Sequence, residues 1–366
     1  METKKLIDCC EFISDGDHLP PPKSDSGVPF ITISNITGQN KLSFEDTMFV
    51  PESYYNGLNE NKKAQKGDIL YSVVGSFGKP VYVDFDKQMV FQRHIAILRP
   101  KRNVNARFIY YTMLNPQFYK LVDKLAIGCS QRTVTLDTLR NIEVNLPDKD
   151  IQDKMVGILS LIDEKIDINN NVNDNLEQQI QLIFDYLFPD VCAGNKHMGD
   201  FIIPKRGKSL LSKNAVHGNV PVIAGGLEPS IYHNAANTIA PVVTISSSGA
   251  NAGFVNIWGV PVWSSDSSYI DSEMSRYVYF WYAYLKRHQN NIYNIQTGSA
   301  QPHIYPSHIS SLPITDLDYK KIENYTEIVS PIFSTITKNH VENQHLQSLR
   351  DWLLPMLMNG QATIND

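Results

Sequence analysis

The sequence predicts an α+β protein in which two mixed α/β globular units alternate with two long helices. Three observations predict it: a helix-period apolar stripe over residues 148–188, a second copy of it 170 residues further on, and a run of short glycine-punctuated strands ahead of each. In the first stripe Ile151, Met155, Ile158, Ile162 and Ile166 recur at steps of three and four, and Leu176, Ile180, Ile183 and Leu187 resume them. Such steps hold side chains on one helix face, whereas a strand alternates every second residue. Only Gly157 interrupts, and Pro189 closes the run. A helix of this length extends roughly 60 Å and needs a partner for its stripe.

The second copy supplies one. Ile162 maps to Ile332, Ile166 to Ile336, Leu176 to Leu346, Ile183 to Leu353 and Leu187 to Leu357. The polar break repeats as well, Asn169 and Asn173 falling on Asn339 and Asn343. An Asn at the seam of paired helices costs stability but fixes register. The offset also lays the segment Gly128 to Val134 over Gly298 to Ile304, which points to internal duplication of one globular unit plus one helix.

The expected boundaries are a first unit at 1–147, a central helix at 148–189, a second unit at 190–315 and a second helix at 316–366. In the first unit, residues 28–34, 68–74, 80–85 and 90–98 read as strands and 105–126 as an aromatic-rich helix. Gly27, Gly38, Gly75 and Gly78 mark the turns. In the second, 220–226, 240–246, 253–258 and 261–270 read as strands and 274–293 as a helix, before a return opening at Gln296.

The chain has 366 residues, 42% of them hydrophobic, enough for two cored units. No apolar run reaches membrane-spanning length, and the opening METKKLIDCCEF lacks the apolar centre of a secretory signal, so a cytoplasmic protein is expected. Cys9, Cys10, Cys129 and Cys192 form no C-x-x-C pair and read as free thiols. The net charge of −5 is unevenly spread. Residues 1–147 hold 18 Lys and Arg against 16 Asp and Glu, and residues 190–315 hold 8 against 6. Residues 148–189 hold 3 against 9, and residues 316–366 hold 4 against 7. Slightly basic units permit DNA contact, and acidic helices suit a protein partner.

No motif marks an active site. Arg206-Gly207-Lys208-Ser209 lacks the earlier glycine of a phosphate loop, Ile202 standing there. Asn115-Pro116-Gln117-Phe118 lacks the second proline of the amino-group methyltransferase motif. Asp163-Glu164-Lys165 falls along a helix and reads as solvated charge, not as a nuclease site. The ten His show no metal-ligand spacing.

The order unit, helix, unit, helix resembles the specificity subunit of type I restriction–modification systems. Arg350-Asp351, Leu353-Leu354-Pro355, Leu357 and Gly360 resemble the family's Arg-Asp-x-Leu-Leu-Pro-x-Leu-x-x-Gly ending. Gly298, Gln301 and Ile304 resemble its Gly-x-x-Gln-x-x-Ile return, and Val28-Pro29 and Val220-Pro221 sit where it often begins a strand. One departure is Arg132-Thr133 in the first return, where the second has Pro302-His303. The resemblance implies that each unit is a target recognition domain reading one half of a split sequence in double-stranded DNA. It implies that the helices pair as an antiparallel coiled coil with pseudo-two-fold symmetry, that two methyltransferase subunits dock on this frame, and that restriction subunits join them. S-adenosylmethionine, ATP and magnesium would sit on those partners, with no cofactor, metal or catalytic residue in this chain.

Expected DNA contacts are loop residues: Lys79, Arg93, Gln131 and Arg132 in the first unit, and Lys205, Arg206, Lys208, Asn251 and Gln301 in the second. Lys and Arg hold phosphates, while Gln, Asn, Ser and Thr can read base edges. Gln131 and Gln301 recur between the halves, which fits structural caps as well as readers. The competing class is a duplicated coiled-coil adaptor that binds proteins.

Overall fold

The structure is a computed structural model and describes residues 2–129, 131–298 and 301–361. Ser130, Ser299 and Ala300, inside the two predicted returns, lie outside the described residues. The chain divides into two compact units, residues 1–165 with 345–366, and residues 166–344.

In the first unit a four-stranded antiparallel sheet runs in the order Cys10–Asp15, Ile95–Pro100, Ile69–Ser72, Pro80–Tyr82. Its middle strands are buried on both faces, because alternate residues enter different cores. Ile69, Tyr71, Ala96 and Leu98 pack with Phe108, Ile109 and Tyr111 of the helical layer. Leu70, Ile95 and Ile97 pack with Ile31, Val81 and Phe91 on the other side. There a three-stranded sheet runs Phe49–Val50, Val28–Ile31, Val90–Phe91, the last two strands parallel. A ribbon of Glu2–Lys5 against Glu143–Leu146 closes the unit.

The second unit repeats the plan. Its four-stranded sheet runs Lys205–Arg206, Ser267–Asp271, Val242–Ser246, Val255–Trp258. Its three-stranded sheet runs Ile231–His233, Val220–Ile223, Trp263–Ser264, and again the last two are parallel. Lys196–His197 against Pro313–Ile314 form the closing ribbon.

Four of the elements expected in the globular units break in two. The helix expected at 105–126 is two, Ala106–Leu114 and Pro116–Leu125, because Pro116 cannot continue a helix and the Asn115 side chain caps the new start at the Gln117 N–H, 3.0 Å away. The helix expected at 274–293 begins at Val278 and breaks at His288 into Val278–Arg287 and Gln289–Asn294. The single strands expected at 90–98 and 261–270 each break, because the chain crosses from the three-stranded to the four-stranded sheet within them.

The long helices span Lys149–Leu187 and Tyr319–Met358. In the second unit Ile166 and Ile336 are buried, and Leu176, Ile183, Leu187 and Ile332 are half-buried against the core built by Ile180, Phe184, Tyr325 and Phe333. Asn169 donates to Asn343 at 2.8 Å, Asn343 to Asn170 at 2.9 Å, and Asn339 to Asn173 at 2.7 Å. As one number of these pairs rises the other falls, so the two segments run antiparallel there. In the first unit Ile162 and Leu357 are buried, Leu353 and Leu346 half-buried. The buried face there passes through Met155, Val156 and Leu159, while the expected Ile151 and Ile158 are exposed. Asp163 is not a solvated charge. It accepts from Tyr111 at 2.8 Å and from the buried Arg350 at 2.9 Å.

Candidate nucleic-acid interface

In each unit three segments meet at one end of the four-stranded sheet. In the first, the strand Ile69–Ser72 runs on into a turn at Val74-Gly75, and Val74 bridges Thr133 of the return. The Gly75 N–H donates to the Arg132 carbonyl at 2.9 Å, Val134 to Val73 at 2.8 Å, and Val73 to His94 at 2.9 Å. The return closes on itself through reciprocal bonds between Ile127 and Thr133, 2.9 and 2.8 Å long. This closure needs Gly128, at φ +95°, where a Cβ would lie 2.6 Å from the Gln131 carbonyl oxygen.

The second unit builds the same junction. Ser248 bridges His303, Gly249 donates to Pro302 at 3.1 Å, Ile304 to Ser247 at 3.0 Å, and Ser247 to Asp266 at 3.1 Å. Thr297 and His303 exchange bonds of 3.0 and 2.7 Å around Gly298, also at φ +95°.

These junctions gather most of the expected residues. In the first unit Gln131 and Arg132 on the return, Arg93 beside His94, and Lys79 at the far end of the 74–79 turn come to one edge. Gln131, Arg93 and Lys79 are exposed. In the second, Gln301 and the half-buried Asn251 flank the corresponding turn. Lys205 and Arg206 lie on the neighbouring edge strand, paired with Tyr269 and Ser268. Lys208 follows, its N–H on the Ser264 carbonyl at 2.9 Å.

Two of the cations already have acidic partners. Arg132 is paired with Asp123 and lies over the Phe77 ring, 5.7 Å from its centre. Arg206 is paired with Asp266 at 2.5 Å, and Asp266 also accepts from the Ser248 hydroxyl. Both pairs are around 40% exposed, with side-chain exposures of 41% and 42% for one and 43% and 37% for the other. Exposed pairs of this kind contribute about 0–1 kcal/mol, so a phosphate can displace either carboxylate. Burial, helped by the Arg93 charge, lowers the His94 pKa and favours the neutral ring.

The units differ where the equivalent of Lys208 is concerned. Asp17 occupies that place in the first unit, its N–H on the Phe91 carbonyl at 2.7 Å, and its carboxylate takes Lys62 at 2.8 Å and the Tyr54 hydroxyl at 2.7 Å. Residue-level reading of the sequence missed Asp123, Asp266, His94 and His303. His94 and Asp266 hold equivalent places in space, each carbonyl accepting from the residue two before the turn glycine, but no common sequence interval marks them.

Among the described residues no group of His, Cys, Asp and Glu gathers to hold a metal ion, and no helix is long and apolar enough to cross a membrane.

A family model of the type I restriction modification DNA specificity domain matches residues 1–178. The chain is 28% identical over 189 residues to the type I restriction enzyme HindI specificity subunit of Haemophilus influenzae, a match covering 48% of this chain and 41% of that one. It is 26% identical over 169 residues to the MjaVIII specificity subunit of Methanocaldococcus jannaschii, covering 44% of this chain and 39% of that one. The matches thus span about two fifths of the length of these relatives. A crystal structure of the type I restriction–modification S subunit from M. genitalium shares the fold over 100% of this chain and 96% of its own, with a TM-score of 0.58 at 17% identity. Residues 1–178 are thus similar to type I restriction modification DNA specificity domains, and the chain shares its fold with an S subunit of such a system.

Proposed function

We propose that this chain is the DNA sequence-recognition subunit of a type I restriction–modification complex and carries no catalytic site of its own. Each globular unit, 1–147 and 190–315, acts as a target recognition domain on one half of a bipartite sequence in double-stranded DNA. The helices at 148–189 and 316–366 pair as an antiparallel coiled coil, relate the units by a pseudo-two-fold, and set the gap between half-sites. The observation that carries this reading is the junction of turn, return and strand end. It occurs in both units, and in both it collects cationic and amide side chains at one exposed edge. Lys79, Arg93, Arg132, Lys205, Arg206 and Lys208 hold phosphates, and Asn251 reads a base edge. Different residues at equivalent places, such as Thr133 and His303, give the units different half-sites.

Two methyltransferase subunits and the restriction subunits are the protein partners, in the cytoplasm. S-adenosylmethionine, ATP and magnesium are held by them. The test is to express the chain with its methyltransferase partner in a host that lacks modification, then to map methylated bases genome-wide. A split motif, two short half-sites around a fixed gap, is expected. An assembled complex that adds no new motif refutes the reading and favours a protein-binding adaptor.

A further inference from the structure

The two returns share more than their sequence spacing. Both are closed by reciprocal bonds across the same seven-residue interval, 127 with 133 and 297 with 303, and both turn on a glycine at φ +95°. Both dock through one bridge on a turn whose glycine also has positive φ, Gly75 at +66° and Gly249 at +83°. Around them the side chains change: Arg132 becomes Pro302, Thr133 becomes His303, and His94 stands where Asp266 does. Gln131 and Gln301 do not change, and both are exposed. Among the described residues neither side-chain amide has a hydrogen-bond partner, so neither serves as a cap within the loop. An added Cβ on Gly75 would lie 3.8 Å from Gln131 Nε2, so the amide lies across open backbone.

A feature identical in two surfaces that otherwise differ cannot distinguish their targets. It can bind only what the targets share. We infer that Gln131 and Gln301 are positioning residues that donate to the phosphodiester backbone at the two half-sites. They set how deeply each unit seats on DNA, and divergent neighbours such as Thr133 and His303 read the sequence. A neutral amide releases no counterion, so this contact adds affinity without adding salt dependence. The inference rests on the DNA-recognition reading.

The experiment uses the full chain with its methyltransferase partner. Binding is measured to a duplex carrying the mapped target and to a scrambled duplex of equal length, across a salt series. Gln131→Ala and Gln301→Ala should each weaken binding to both duplexes by about the same factor, roughly three- to tenfold. The salt slope, the methylation motif and the melting temperature should not change. The isosteric Gln131→Glu and Gln301→Glu should bind more weakly than the Ala variants, through repulsion by phosphate. A motif relaxed at one base position makes the residue a reader and overturns the inference, as does wild-type affinity in all four variants or a lowered melting temperature. A wild-type complex that binds neither duplex overturns the DNA reading itself.

Discussion

Removing the Asp163 carboxylate tests how the first unit holds the two long helices. Arg350 is 8% exposed, with its Nη1 2.9 Å from Asp163. Its other carboxylate partner, Asp351, is at 3.1 Å and largely exposed. Burial alone would lower the Arg350 pKa, but Asp163 and Asp351 outweigh it and the net shift is upward. Asp163→Ala therefore strands the buried side of the guanidinium, leaving the exposed Asp351 as its remaining carboxylate, and also deprives the Tyr111 hydroxyl of its acceptor at 2.8 Å. Breaking one side of such a pair costs about 3–5 kcal/mol, far more than an exposed pair on a helix surface. Arg350→Met in the Asp163→Ala background removes the stranded charge and keeps an apolar stem beside the core, so it should restore at least half of the loss. Urea unfolding followed by far-UV circular dichroism measures both. A cost under about 1 kcal/mol for Asp163→Ala, or strict additivity of the two changes, refutes the coupling.

Other outcomes follow from single sites. Gly157 lies within a long helix with nothing within 4 Å of an added Cβ, so Gly157→Ala should stabilise the chain by about 0.5–1 kcal/mol in the same unfolding measurement. Gly298→Ala, at φ +95° with a carbonyl oxygen 2.5 Å from the new Cβ, should cost about 1–3 kcal/mol. Burial raises the Glu177 pKa above its ordinary 4.5, against the pull of Lys286 and His340. A raised folded-state value favours the folded chain below pH 4.5 and loses that contribution as pH climbs through the folded pKa. Stability curves of Glu177→Gln against pH should therefore be flatter above 4.5, and an unchanged slope contradicts this. Replacing Lys205, Arg206 and Lys208 together with Ala should reduce the slope of log affinity against log salt by about 2–3, since each phosphate neutralised by a cation contributes roughly 0.9. An unchanged slope removes that trio from the interface.

The long helices and the recurrence of a strand-rich unit were legible because each rests on a repeated pattern, at steps of three and four or at an offset of 170 residues. Finer choices were not. Ile158 and Leu159 are equally apolar, and only the packed neighbour decides that Leu159 is buried and Ile158 exposed. The strand expected at 90–98 spans the polar Gln92-Arg93-His94 between Phe91 and Ile95, a local sign of the break that acquires its meaning only from the two sheets the flanking strands join. Around the junctions, the recurring glycine and glutamine marked the returns, whereas the carboxylates that hold Arg132 and Arg206 are set by folding. Asp266 lies 60 residues from Arg206 in the chain, beyond any spacing rule.

The closing ribbon of the second unit has a mechanical consequence. The chain leaves the first long helix at Phe188 and enters the second at Tyr319, and the two crossing points are tied together. Thr315 donates to the Val191 carbonyl at 3.0 Å, Met198 to Leu312 at 2.9 Å, and Arg287 to the Phe188 and Pro189 carbonyls at 2.8 and 2.7 Å. A pull transmitted along the helices therefore loads this neck together with the core in which Ile180, Phe184 and Tyr325 pack with Val243 and Ile245 of the sheet. The neck is thus the backbone tie at which both helices enter this unit, so a change in the separation of their ends is felt there in the main chain itself.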